Sequence, residues 1–445
     1  MNTDIYSKLK QFSELFLVTL IYSILLFSRP LMGVKFFGLR FGELIVGFLF
    51  LFSIYLFLTN KKLQKDFFIS KELFILQKML LASFFVSSFL SQSNFLNSYT
   101  YKSSSNIWMV SSLFLFYGIF KRLKLNYLNS KHFLIILFLV YVFTTIYYPN
   151  FLREFFYIYS DKFDYHKAGD IFLIYFLTII ILYREEKFNN FIIYFFIING
   201  LFLPLFIYMS RGTTISTVLL IVYLLFRNIK KIRKNLLTIL LGVTFFSGLF
   251  VFSSINIASD IFFKFLNLEN QENIKLESED IPVIVSDNIK KVTEQKDYSG
   301  LLSFYFQDGK LFSNEILANW RLQLWQDIYQ DMKEEGIVLF GYGYNEPIPR
   351  MTLNDNNGMD GTNENVHNYF FQNFSRGGLV QLTIFVLLFI SIIKFDKNKF
   401  FYLFPIIFIS LFDTSMESVR YPLIFFMFLA FFIKNKNLFT LPSKL

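Results

Sequence analysis

The sequence predicts an all-α polytopic membrane protein with about twelve transmembrane helices and one large extracytoplasmic loop that contains an amphipathic helix. Three observations lead there. The 445 residues are 54% hydrophobic and 21% aromatic but only 17% charged, with a mean hydropathy of +0.46. A soluble chain of that balance would expose far too much apolar surface. Apolar runs long enough to be membrane spans recur along the chain. Basic clusters alternate between the loops that join them, as the positive-inside rule requires.

The spans are expected at 12–28, 41–58, 73–90, 106–120, 133–148, 170–183, 191–209, 213–226, 236–254, 375–393, 399–412 and 419–433. Several are short. The 64 Phe and 26 Tyr fit a lipid environment with aromatic belts. Phe12–Phe27 is apolar but no small-residue cleavage site follows it, so no cleavable signal is expected. With no cysteine in the chain, disulfides, thiolate metal sites and a cysteine nucleophile are excluded.

Orientation follows from charge. With a cytoplasmic N-terminus, the inner loops carry clusters such as Lys61/Lys62/Lys65, Lys121/Arg122/Lys124/Lys131 and Arg227/Lys230/Lys231/Arg233/Lys234. The short outer loops carry only scattered Arg29, Lys35, Lys102, Arg153, Lys162 and Lys167. Both termini are therefore expected in the cytoplasm. Three regions result: a nine-span bundle at 1–254, an extracytoplasmic loop at 255–366, and three last spans at 367–445. The loop holds nine basic and nineteen acidic residues, so the global charge of +10 belongs to the inner loops and does not argue for nucleic acid. Within it, Trp320, Leu324, Ile328 and Met332 recur at helical spacing, which predicts an amphipathic helix over 316–335 ended by Gly336. No repeat of 20–50 residues is visible.

His367, in the stretch NENVHNYFFQNFSRGGLVQ, is the leading candidate for chemistry. It is one of three histidines, and it stands where a polar segment meets an apolar one. A neutral imidazole there can accept a proton; equally, it can be an interfacial histidine bonded to a loop carbonyl. His132 and His166 read as structural, and three dispersed histidines do not suggest a metal site. Arg211, in MSRGTT between two spans, is a bidentate phosphate ligand or a snorkelling boundary arginine. Arg321 lies on the loop helix, either as a phosphate ligand or as a solvated charge. Asn368, Arg376 and Arg350 are supporting candidates. Arg40 can pair with Glu43, and Asp413, Glu417 and Arg420 can orient His367 or cap helices. There is no P-loop, dinucleotide fingerprint, G-x-S-x-G elbow or D-x-D pair, so ATP and nucleotide sugars are not indicated.

These residues resemble the O-antigen polymerase and ligase superfamily of bacterial inner-membrane glycosyltransferases. Three elements match in order: Ser210-Arg211-Gly212 opening a span, the segment from Trp320 through Phe340-Gly341-Tyr342-Gly343, and His367-Asn368 followed by Gly377-Gly378-Leu379. The resemblance covers roughly 191–390, and its adjacent glycine pair departs from the family's spaced G-x-x-G. It implies a GT-C-like fold and an undecaprenyl-pyrophosphate-linked oligosaccharide as substrate, with no cofactor. A polymerase would move the growing glycan onto a carrier-linked repeat unit on the periplasmic face, with a chain-length regulator as an expected partner; a ligase would move it onto lipid A–core. His367 would be the general base, and Arg211 and Arg321 the pyrophosphate ligands. A lipid-linked oligosaccharide flippase is the alternative outside enzymology. Against it stands the gathering of polar candidates on one face rather than at mid-membrane.

Overall fold

The structure, a computed structural model, describes residues 3–59, 65–123, 128–161, 166–269, 304–314, 316–353, 364–395, 400–411 and 415–435. It is mostly helical. The helices are α1 (Thr3–Gly33), α2 (Phe41–Leu58), α3 (Lys71–Leu90), α4 (Ser98–Ser103), α5 (Ser105–Arg122), α6 (Ser130–Thr145), α7 (Asn150–Tyr159), α8 (Ala168–Glu185), α9 (Phe188–Met209), α10 (Arg211–Arg227), α11 (Ile229–Lys234) and α12 (Leu236–Glu269). The loop helix α13 (Ile316–Glu334) and then α14 (Tyr369–Phe395), α15 (Phe400–Ser410) and α16 (Arg420–Lys434) complete the order. Two antiparallel hairpins interrupt the helices: β1 (Lys35–Phe36) with β2 (Leu39–Arg40), and β3 (Phe304–Gln307) with β4 (Lys310–Ser313).

Among the described residues, each of the twelve apolar segments read from the sequence coincides over most of its length with a helix. Among those residues, six helices are long and apolar enough to cross a membrane, and up to seven if the pair Ser130–Thr145 and Asn150–Tyr159, bent by 85°, counts as one span. The others fall short for a physical reason. Some are brief, α8 carries Asp170, Arg184 and Glu185 within its 18 residues, and two of them form the middle of the bundle. Every residue of α8 from Ala168 to Tyr183 and of α16 from Arg420 to Ile433 is buried. A helix apolar on all sides belongs inside a bundle, with its neighbours between it and lipid.

A second difference concerns α12. The ninth span was expected to end at 254, yet the helix continues to Glu269. The stretch Ile255–Leu266 contains no Gly or Pro to stop it.

Proline shapes the end of α1. Pro30 lies inside the helix and Ser28 has φ 48° and ψ −119°. A helical proline cannot donate to the carbonyl four residues back. That carbonyl, Leu26 O, bonds instead to His166 Nε2 at 2.8 Å. The Ser28 hydroxyl accepts from Arg420 Nε at 2.9 Å. Arg420 also holds Asp170 through two bonds of 2.9 and 2.7 Å. The kink of α1 and the starts of α8 and α16 are thus joined by one buried polar cluster.

These bonds define two ends of the bundle. Asp170, Arg420 and the α1 kink lie at one. At the other, Tyr183 meets Asn228 at 3.5 Å, and Ser391 bonds Glu72 at 2.7 Å.

Candidate functional site

His367 sits at the first end, in a segment fixed on both sides. Trp325 Nε1 donates to Val366 O at 2.7 Å, and Val366 N donates to Gln372 Oε1 at 3.3 Å. Asn368 caps α14: its Oδ1 accepts from Phe370 N and Phe371 N, both at 3.0 Å. Asparagine does this because its short carbonyl reaches the unpaired donors of the first turn. Between these anchors His367 adopts φ 58°, a left-handed conformation uncommon outside glycine. Such strain persists where surroundings over-determine it.

The imidazole is partly buried, with its ring at 5.4 Å and 75° to the indole of Trp320. Burial, followed by the positive charges of Arg321 and Lys167, pushes it from 6.5 down to about 4. It is therefore neutral at pH 7 and retains a lone pair for a proton. Beside those two positive charges it is also a weak base.

The loop helix delivers Trp320 and Arg321. Leu324, Ile328 and Met332 face inward at 3%, 0% and 0% exposure, so the periodicity read from the sequence is the packed face. Gly336, at φ 72°, ends the chain's helical path. Arg350 Nε and Nη2 clamp Asp331 at 2.5 and 2.8 Å, which raises the Arg350 pKa further above its already high value. Arg350 thus ties the chain after the turn back to α13.

Arg211 is the first residue of α10, after the extended Ser210. Ser210 O accepts from Thr213 Oγ1 at 2.9 Å and Thr214 Oγ1 at 2.8 Å, so the start of α10 is well formed. Because Asn228, just past the other terminus of α10, meets Tyr183 late in α8, Arg211 shares the bundle end that holds Lys167 and His367.

The glycine elements explain each other. Tyr342 N bonds Ser375 O and Gly343 N bonds Arg376 O, both at 2.9 Å. Leu379 N bonds Val338 O at 2.9 Å, and Val380 N bonds Leu339 O at 3.3 Å. The turn at 338–343 therefore supplies partners for a break in α14, where Gly378 has φ 67° and ψ −170°. A Cβ on Gly378 would lie 2.2 Å from the Leu339 carbonyl, and one on Gly341 would lie 2.6 Å from that of Arg376. Adjacent glycines at 377–378 serve this backbone-to-backbone contact, so the departure from the spaced pattern has a structural reason.

Arg376 is 1% exposed. Its Nη1 donates to Gly343 O at 3.3 Å and to Glu346 O, and its Nη2 donates to Tyr99 Oη at 2.9 Å. Arg376, read from the sequence as a supporting candidate, is thus placed as an internal brace of the turn. Arg420 is likewise turned to Asp170 and Ser28 rather than to His367. Arg40 bonds Asp161 at 2.7 Å and Glu43 at 3.4 Å, on the strand that opens α2. Asp413 lies outside the described residues.

The site so assembled is His367 against Trp320, with Arg321 and Lys167 acting on its ring and Arg211 at the same end. Lys167 is the residue that sequence reasoning passed over as scattered. Its signal was a lone cation directly ahead of a span, on the side otherwise poor in cations.

No curated protein matches the chain. The family model described as O-Antigen ligase matches residues 195–386, a stretch that includes Arg211, Arg321, the 338–343 turn, His367 and the α14 break, and leaves Lys167 outside. On that match this membrane-embedded chain is similar, over those residues, to the O-antigen polymerase and ligase superfamily.

Proposed function

We propose that the chain is a surface-polysaccharide polymerase, moving a growing glycan from undecaprenyl pyrophosphate onto a carrier-linked repeat unit at the periplasmic face of the bacterial inner membrane, with both termini cytoplasmic. The observation that carries this reading is His367, a neutral imidazole held in a strained conformation between Trp320 and two cations. The acceptor hydroxyl oxygen attacks the anomeric carbon, and its proton passes to an imidazole nitrogen. The anomeric C–O bond to pyrophosphate breaks on the opposite face, and the leaving group takes the electron pair, which inverts the configuration. Arg321 and Arg211 hold the pyrophosphate, where oriented positive charge stabilises the developing anion. Donor binding also offsets the charge of Arg321 and Lys167, so the imidazole becomes a stronger base once the donor is in place.

The ligase reading shares every step except the acceptor, and the family match is common to both. The long loop, and a family match that begins only at residue 195, incline the choice to polymerase. Gene deletion followed by a gel of surface glycan decides. A single repeat unit on the core means polymerase. Core alone, with polymer left on the carrier, means ligase. Repeat units stranded in the cytoplasm would overturn both and leave a flippase. Complementation with His367→Ala is expected to reproduce the deletion with normal protein level.

A further inference from the structure

The bundle end that holds His367 also carries exposed aromatic surface that transfer chemistry does not use. Two elements build it. The first is α7, which is bent by 85° from α6 and so runs across the span rather than along it. At helical spacing Phe151, Phe155, Ile158 and Tyr159 fall with Phe156 on one side, and Asn150, Arg153 and Glu154 fall on the other. Of these ten residues only Phe156 is buried, its ring 5.3 Å from that of Phe27. Phe151, Phe155, Ile158 and Tyr159 are 45–70% exposed.

The second element is the β1–β2 hairpin. It is joined to the end of α7 by the bridge between Val34 and Ser160, and by Asp161, which pairs with Arg40 and, at 3.6 Å, with Lys35. The two-residue turn is Phe37-Gly38, at φ 51° and 86°. Such turns favour Asn or Gly at the first position, because a bulky side chain is strained there. Here that position holds a phenylalanine at 107% exposure, with Phe36 and Leu39 exposed beside it. Strain kept at an aromatic ring that packs against nothing inside the fold points to a use outside it.

We propose that α7 and the hairpin tip lie in the bilayer interface, with the apolar side of α7 and the Phe37 ring against acyl chains and Arg153 and Glu154 among the headgroups. Three observations select lipid as the occupant. A helix that crosses a span with one apolar and one charged side has the form that rests in the interfacial plane. Phe27, which Phe156 meets, belongs to the apolar span Lys10–Gly33 of α1, so the apolar side of α7 turns toward hydrocarbon. The hairpin also leads directly into α2, whose Leu44, Phe48 and Leu51 are exposed along a span. The surface therefore continues one that already meets acyl chains. This contact would hold the bundle end with Lys167 and His367 at the level of the headgroups.

The chain has no cysteine, so a nitroxide label can be placed without background. Phe37→Cys, Phe151→Cys, Ile158→Cys and Glu154→Cys are labelled one at a time in the full chain. Each is reconstituted in vesicles of phosphatidylethanolamine and phosphatidylglycerol. Spin relaxation by oxygen, which concentrates in hydrocarbon, is compared with relaxation by a water-soluble nickel chelate. The ratio of oxygen to nickel effect is expected to be several times higher at 37, 151 and 158 than at 154. The hairpin and α7 positions report independently, so the loss of one variant leaves the others. A nickel effect at the apolar positions equal to that at 154 places the surface in water and overturns the proposal. Exclusion of both relaxants there means that protein covers it, and spin–spin broadening means that a second copy does; either result overturns it as well.

Discussion

Removing the charge of Arg321 tests the base most directly. The imidazole of His367 stands at about 4 rather than 6.5, with burial as the largest cause and Arg321 next. The whole displacement corresponds to at most about 3.4 kcal/mol in favour of the neutral ring, at about 1.36 kcal/mol per pH unit. Because burial leads and Lys167 takes part, the share of Arg321 is less than half, roughly one pH unit or below. The sign follows from the base needing to be neutral: activity falls as pH drops through its pKa. In kcat/KM, which reports the free enzyme, the acid limb is expected near 4, and in kcat, which reports the donor complex, it is expected higher. Arg321→Gln is expected to move the kcat/KM limb up by about half to one pH unit, along with a severe loss of rate. The assay is polymer formation from lipid-linked repeat units in proteoliposomes between pH 4 and 8. A kcat/KM limb near 6.5 that Arg321→Gln leaves in place would refute both the buried-base argument and the role of Arg321.

Gly378→Ala is expected to destabilise the protein by about 2–4 kcal/mol, from a disfavoured backbone conformation and an overlap with the Leu339 carbonyl, read as a lower melting temperature in detergent. Asp170→Ala strands the Arg420 guanidinium in a buried setting and is expected to cost about 3–5 kcal/mol in the same measurement. Arg211→Lys is expected to lose most activity while Arg350→Lys, altered at a loop tie, loses much less; equal effects would return Arg211 to a boundary role. Asn368→Ala removes the α14 cap at about 1 kcal/mol, and is expected to reduce activity more than stability because His367 adjoins it.

Much of this was legible in the sequence because local patterns carry it. The stripe Trp320, Leu324, Ile328, Met332 forecast α13 over 316–335, and the helix runs Ile316–Glu334. The apolar runs forecast helices, but buried α8 is as long as the span α2, so length does not separate the two kinds, and α8 and α16 are marked only by what surrounds them. The β3–β4 hairpin was legible and missed: Asp308-Gly309, at φ 50° and 78°, is the turn pair that a two-residue hairpin favours. What no local pattern carries is partnership at long separation. Arg420 and Asp170 lie 250 residues apart, and Arg376 and Tyr99 277 apart. An arginine in isolation reads the same whether it awaits a phosphate or already grips a carbonyl.

The seam between the 338–343 turn and the α14 break has a consequence for traffic. Four backbone bonds and two glycines without room for a side chain fasten the exit of α13 to a membrane helix. That side of the loop is a fixed roof and cannot swing as a gate. Substrates tethered to long lipid tails would then arrive sideways through the bilayer, sliding beneath the roof while their tails remain in the hydrocarbon.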